Sequence, residues 1–249
     1  HDPDFEIFVD PDGDNHAYYE FEINALNVGW DLFLPRPYRD GGPADNGWEI
    51  PGLKTAVAIE GTLNNPSDVD VGWTVEIAIP WAAFNRHGAP ATPPSDGQRW
   101  RVNFSRVEWR VNVENGAYRK VPMTPEDNWV WSPQYAIDMH RPEHWGYVQF
   151  SSRPPGPGQV AFRPDPAAAA KLTLCRLYYD QKAHKERTRS YAKTLEALGW
   201  RTNDPATAAI TLKPTSSGYT AEVTVPLGDG TKQTWRIRED SLISRVGPG

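Results

Sequence analysis

The chain has 249 residues, 39% hydrophobic and 23% charged, which is enough for one large domain or two ordinary ones and for a core without disulfide staples. That composition excludes a disordered tail, no apolar run approaches the ~18 residues of a spanning helix, and the single cysteine, Cys175, excludes an intrachain disulfide, a Cys-rich zinc site and a redox pair. The net charge of −6 is uneven: residues 1–153 hold 23 acids, 12 bases and nine of the eleven tryptophans, whereas residues 154–249 hold 9 acids and 14 bases, so the sequence predicts two units of different composition.

Seven segments in the acidic part are rich in β-branched and aromatic residues: Phe5–Val9, Tyr18–Asn24, Trp30–Leu34, Leu53–Ile59, Trp73–Ile79, Trp100–Trp109 and Tyr147–Phe150. Clusters of turn residues separate them, at Asp10–Asn15, Asp40–Pro43, Asn64–Pro66 and Asn115-Gly116. This spacing predicts an antiparallel β-sandwich, and Pro80–Phe84 predicts one helical turn after a strand. Trp73, Trp81, Trp100 and Trp145 read as core.

Pro154-Pro155-Gly156-Pro157-Gly158 marks a Pro/Gly-rich linker, placed at 152–164, between a first domain at 1–151 and a second at 165–249. The second domain opens on Asp165 as a helix N-cap with Pro166 at the first helical position. Leu172, Cys175, Tyr179 and Ala183 follow helical spacing. Tyr191, Leu195 and Leu198 continue it, with Gly199 as the stop. Strands are predicted at Ala208–Leu212, Tyr219–Pro226 and Gln233–Arg238, the last two joined through the turn Gly228-Asp229-Gly230. The fold class is therefore mostly β, an antiparallel sandwich followed by a small α+β unit with one long helix.

Several strings of the first domain can now be set beside a known family. Asp4–Asp14 (DFEIFVDPDGD), Tyr18–Asn24 (YYEFEIN), Gly72–Trp81 (GWTVEIAIPW) and Val102–Arg106 (VNFSR) resemble carbohydrate-binding module family 9, and Trp131-Ser132-Pro133 and His144-Trp145-Gly146 close the pattern. The resemblance covers about residues 1–151. It implies a sandwich that binds a mono- or oligosaccharide on one face, calcium as a structural ion, and an exported protein, secreted or periplasmic or at the cell surface, that takes part in polysaccharide catabolism. It also implies that the chain starts inside the sandwich, with strands preceding residue 5. The other reading of the start is a mature N-terminus at which His1 would chelate copper with His16, His140 or His144. In the second domain, Leu177–Gln181 and Arg189–Ala192 with Leu195 resemble the helix of pilin-like secretion proteins, which implies a unit that docks to a partner.

Through the family resemblance, Glu6 and Asn24 correspond to sugar contacts, and Glu22 stands where a basic residue is usual. Glu20, Glu22 and Asn24 alternate with apolar residues and so share one sheet face. Ser105, Arg106, Trp109 and Trp131 complete the predicted sugar-binding set, carboxylates gripping paired hydroxyls and tryptophans stacking on sugar faces. Asp10, Asp12 and Asp14 alternate in one tight loop, the oxygen-rich pattern calcium needs, although such residues also build plain turns. Arg106 and Glu108 share a face and either bind a charged sugar or pair with other charges.

Enzyme signals are weak. Among 32 acids some pair always lies at glycosidase spacing, and no serine-elbow, zinc-protease or phosphate-loop motif occurs. Any hydrolase activity is expected of a parent or partner protein. The basic residues of the second unit are not interleaved with aromatics in a nucleic-acid motif. Two alternatives to sugar binding stay open: a structural or docking protein on the same scaffold, and a haem-b-binding sandwich of related fold with Met139 and Lys54, Lys120 or His140 as axial ligands.

Overall fold

The computed structural model describes residues 2–85, 93–158, 160–201 and 209–247. His1 and Ala208 lie outside the described residues, and with them the copper reading at His1 and the first residue of one predicted strand. The chain forms two compact units, residues 1–12 with 17–156 and residues 13–16 with 157–249. The change at 156–157 falls within the predicted linker.

The first unit contains β1 (Asp4–Asp10), β2 (Tyr18–Asn24), β3 (Gly29–Leu34), β4 (Lys54–Glu60), β5 (Gly72–Ala78), β6 (Arg99–Glu108), β7 (Val111–Glu114), β8 (Ala117–Lys120), β9 (Asp127–Val130) and β10 (Gly146–Gln149). The main sheet runs β10-β6-β1-β2-β3, with β9 also on β6. The ten residues of β6 are long enough to pair β10 along Arg99–Val102 and β9 along Ser105–Glu108. Two hairpins, β4–β5 and β7–β8, pair separately.

Alternation decides what each sheet face does. Phe5, Ile7 and Val9 of β1 share a face with Tyr19, Phe21 and Ile23 of β2 and with Trp100, Val102 and Phe104 of β6. That face carries the core. Val57 of β4 and Val75 and Ile77 of β5 pack on Phe21 and Ile23 as a second layer, and Trp48, Phe84 and Ile79 pack around Tyr19 and Trp100. Burial of side chains this large stabilises the sheet by about 1.5–3 kcal/mol each. Two tryptophans depart from the expected core role. Trp73 is half-buried, and Trp81 is exposed, its ring set edge-on to Trp100 and Phe150 rather than enclosed by them.

The opposite face is split. At one end Phe8, Tyr18, Leu32 and Leu34 are buried beneath Trp145 and Met139. The segment that brings them there is tied down at several points. Trp145 Nε1 donates to the Met139 carbonyl at 2.9 Å, and Arg39 donates to the His140 carbonyl at 2.6 Å and to Glu143 at 2.9 Å. Ser132 N and the Asn103 side chain bond reciprocally, at 2.9 and 3.4 Å. At the other end the same face carries Asp4, Glu6, Glu20 and Glu22.

The second unit is α1 (Ala168–Thr188) on the antiparallel meander β11 (Ile210–Pro214), β12 (Tyr219–Pro226), β13 (Lys232–Arg238) and β14 (Ile243–Val246). Leu174, Cys175, Leu177 and Tyr178 pack on Tyr219, Ala221, Val223, Ile237 and Ile243. The buried stripe thus differs from the predicted one, and Leu172 faces solvent. The helix ends are also corrected. Asp165 accepts a hydrogen bond from Ala167 N at 2.9 Å in a turn before the helix, which begins at Ala168, so Asp165 is not the N-cap and Pro166 precedes the helix. At the C-terminus Arg189 takes a left-handed conformation, φ 65°, and its N–H bonds Lys185 O at 2.7 Å. Gly199 closes only the short 3-10 turn Glu196–Leu198. What turns the chain back is Gln181, fully buried, whose amide both donates to Ala192 O at 3.0 Å and accepts from Ala192 N at 2.8 Å. Asp14 O and Ile243 N bond at 3.0 Å in this unit, and Asn15 Nδ2 donates to Ser241 O at 3.0 Å.

Replacing Gln181 by Ala strands a buried N–H and a buried C=O together. Denaturant unfolding followed by tryptophan fluorescence is expected to show a loss of about 2–4 kcal/mol in the second unit.

Candidate functional site

The antiparallel register of β1 and β2 sets Glu6 directly across from Glu22 and Phe8 across from Glu20. On the other side of β2, Glu22 faces Trp30 and Glu20 faces Leu32; on the other side of β1, Glu6 faces Ser105. Paired residues share a sheet face, so three carboxylates converge. Oxygens of Glu6, Glu20 and Glu22 all lie within 4.8 Å of one another. Like charges directly across a sheet destabilise it, and among the described residues no Lys or Arg pairs with any of the three. Glu20 is 5% exposed; its Oε2 makes no hydrogen bond and lies 3.9 Å from His140 Nε2. Glu6 Oε2 and Asp4 Oδ1 are also buried without a hydrogen-bond partner.

The electrostatic consequence is a row of carboxyls that hold their protons unusually late. Burial first, then the charges of Glu22 and Asp4, push Glu6 up to about 8. Burial and Asp4 push Glu22 up to about 7. Burial and Glu126 push Asp4 up to about 6. Glu20, the deepest, is held well above the usual carboxylate range by burial and by Glu22 and Glu6. Burial holds His140 down at about 4, so its ring is neutral at physiological pH. The Tyr18 hydroxyl lies 3.0 Å from His140 Nδ1 and, through burial, keeps its proton well above pH 10.

Aromatic rings flank the row. Trp30, in register with Glu22, is 51% exposed. Tyr38 meets the His140 ring edge-on at 4.5 Å and is itself exposed to solvent. Its hydroxyl is raised by burial and then by the charges of Glu20 and Glu22.

The structure divides the predicted sugar-binding set. Glu6, Glu22, Asn24 and Ser105 share the acidic face. Asn24 is engaged in the β2–β3 turn, where its Oδ1 accepts from Leu26 N and Val28 N at 3.0 and 3.1 Å. Arg106 belongs to the opposite face. It pairs with Glu108 and lies 5.3 Å from the centre of the Trp129 ring. Trp131 is on that opposite face too, against Phe104 at 5.5 Å and so close over Gly146 that a methyl there would sit 2.6 Å from its ring. Trp109 stacks under Lys120 Nζ at 3.3 Å. None of Arg106, Trp109 and Trp131 joins Glu6. Elsewhere in the unit Arg39 pairs with Glu143, and Arg110 pairs with Asp127 at 3.5 Å. Asp4, Trp30 and Tyr38 were not singled out from sequence, Glu20 was placed on the face without being assigned a sugar contact, and His140 was named only as a metal or haem ligand and near a family clamp position. The alternation Glu20-x-Glu22 signalled Glu20, and Trp30 needed the β2–β3 register.

Asp10, Asp12 and Asp14 do come together, with oxygens within 4.8 Å of one another. Asp10 is fully buried and Asp12 exposed, and Asp14 Oδ1 accepts from His16 N at 2.7 Å within its own turn. Both acidic clusters have a geometry that could hold a metal ion. Of the residues named for haem, Met139 packs against the buried cluster of Phe8 and Tyr18, His140 stands over the acidic face, Lys54 is on β4 and Lys120 lies over Trp109.

Fold and site together define an antiparallel β-sandwich with an acid-lined, aromatic-flanked sheet face, joined to a helix-on-sheet unit. Among the described residues no helix is long and apolar enough to cross a membrane. The chain matches no family model, no curated protein and no solved structure.

Carboxyls with raised values stabilise the fold below their unfolded value near 4.5 and lose that contribution as pH rises through the folded values of about 7 and 8. In chelator-treated protein the unfolding midpoint is therefore expected to fall between pH 5 and 8.5. Glu6→Gln should flatten that slope and add on the order of 2 kcal/mol at pH 8 in urea titrations.

Proposed function

We propose that the first unit is a non-catalytic carbohydrate-binding module of an exported protein, and that its ligand lies on the acidic sheet face. The observation that carries this reading is the row Glu6, Glu20 and Glu22 with no Lys or Arg partner among the described residues, lying beside the exposed rings of Trp30 and Tyr38. A carboxylate accepts two hydrogen bonds from neighbouring hydroxyls, and a carboxyl that keeps its proton near neutral pH also donates one. An exposed indole offers a flat apolar surface to the C–H face of a pyranose. Such a site is shallow, so affinity is modest. The motif resemblance over residues 1–151 supports the same class of ligand and the exported setting.

A docking protein without a ligand is the competing reading. A scaffold face would be filled by Arg–Glu pairs, and the Arg–Glu pair seen on this sheet among the described residues, Arg106 with Glu108, is on the other side. The loop Asp10–Asp14 is proposed to hold calcium as a structural ion, which its three converging carboxylates and the burial of Asp10 support.

Calorimetry of the whole chain against a panel of mono- and oligosaccharides, in calcium-containing buffer, tests the sugar reading. Binding to at least one sugar is expected, weakened about 10-fold or more (~1.4 kcal/mol) by Trp30→Ala and by Glu22→Gln and unchanged by Trp131→Ala. No heat with any sugar, or a loss caused by Trp131→Ala alone, would contradict it. Calcium should raise the melting temperature, by the equivalent of about 2.7 kcal/mol at a hundredfold excess over Kd, and Asp12→Asn should abolish the rise.

A further inference from the structure

We infer that Glu6, Glu20, Glu22 and His140 form a divalent-cation site of mixed carboxylate and imidazole donors, separate from the aspartate loop. The inference does not rest on sugar binding.

The first support is spacing. Donor atoms bound to one ion at about 2.0–2.2 Å lie roughly 3–4.4 Å apart. The three carboxylates share a space no wider than 4.8 Å, and His140 Nε2 adjoins that group through Glu20 Oε2 alone, at 3.9 Å, so an ion held by all four draws the imidazole inward. The second is an unmet need. Glu20 is buried, yet its Oε2 has no hydrogen-bond partner. A buried oxygen without a partner costs about 1–3 kcal/mol. One cation among these groups meets the need and cancels the repulsion of three like charges.

The third support is how His140 is held. A metal-bound histidine characteristically has its other ring nitrogen hydrogen-bonded, which fixes the tautomer and aims the free nitrogen. Here the Tyr18 hydroxyl lies on Nδ1 at 3.0 Å, leaving Nε2 toward Glu20. The backbone around the ring is equally fixed, by Arg39 on the His140 carbonyl at 2.6 Å and Trp145 on the Met139 carbonyl at 2.9 Å. Phe8 and Tyr38 meet the ring edge-on at 5.8 and 4.5 Å. Glu6 and Glu22 are half-buried, which gives an ion a way in from solvent.

Donor chemistry selects the metal. An all-oxygen site suits Ca²⁺ or Mg²⁺, whereas an imidazole among carboxylates suits Mn²⁺ or Zn²⁺. The aspartate loop offers oxygen alone and belongs to the first kind. The two clusters should therefore sort different ions.

Equilibrium dialysis of the whole chain against MnCl2, ZnCl2 and CaCl2 separately, without sugar, tests this. In an Asp12→Asn background the protein should bind one equivalent of Mn²⁺ or Zn²⁺ more tightly than Ca²⁺. Glu20→Gln, which also removes a buried like charge and so should not impair folding, should weaken it at least 10-fold. Electron spin-echo spectra of the Mn²⁺-loaded protein should show nitrogen coupling that His140→Gln removes. No bound Mn²⁺ or Zn²⁺ in the Asp12→Asn background, affinity unchanged by Glu20→Gln, or nitrogen coupling that is absent or survives His140→Gln would each overturn the site. The two readings share carboxylates but not readouts, since dialysis and spectra are run without sugar, so failure of the cation site leaves the sugar reading to its own calorimetry.

Discussion

The rest of the first unit is organised around one unfavourable contact, the cross-strand pairing of Glu6 with Glu22 and the burial of Glu20 beside them. Three carboxylates within 4.8 Å of one another repel, and partial burial takes away the water that would screen them. The register that forces them together is the same register that buries Phe5, Ile7, Phe21 and Ile23 on the reverse of the same strands. Because side chains alternate strictly, the strands cannot slip by one residue to separate the acids without exposing the whole apolar set. The apolar face therefore holds the acidic face in a state it would not choose alone.

The covered end of the acidic face serves the open end. Phe8, Tyr18, Leu32 and Leu34 are sealed by Trp145 and Met139, and the segment that seals them also brings His140 to the edge of the acid row. Arg39 ties that segment at the His140 carbonyl and at Glu143. The result is a boundary running across one sheet face, dry and aromatic on one side, charged and open on the other, with a neutral imidazole standing on it. Carboxyls buried without cationic partners are costly to ionise, and groups perturbed in this way cluster at functional sites. The aspartate loop differs in that only its first member, the fully buried Asp10, belongs to a strand, as the last residue of β1, while Asp12 beyond it is exposed.

Much of this was legible because period-2 alternation is explicit in β1 and β2. Tyr18 to Asn24 reads as a strand with its acids on one side, and that is how it folds. The same rule, applied to β6, separates Ser105 from Arg106, since adjacent residues point to opposite faces; grouping both with Glu6 followed the motif and not the parity. Trp131 fails for the same reason, because it lies beside Phe104 in the continuation of β9. Trp30 and His140 reach the site through strand register and through a fixed loop, neither of which local sequence encodes. The hairpin of β7 and β8 is largely solvent-exposed, so only its Asn115-Gly116 turn left a trace. In the second unit the helix stops at Arg189, with no Gly or Pro there, because Gln181 captures Ala192 across the turn. That is a tertiary contact, and it overrides the helical spacing that continues to Leu198.

The central claim is that the acid row keeps its protons unusually late and, among the described residues, has no Lys or Arg partner. The most direct measurement is a pH titration of the Glu6, Glu20 and Glu22 side-chain carboxyl carbons by NMR, in chelator-treated protein. The account predicts midpoints near 8 for Glu6 and near 7 for Glu22, with Glu20 above the ordinary range. Midpoints for all three close to the ordinary value near 4.5 would contradict it, since the face would then be hydrated and in no need of a ligand.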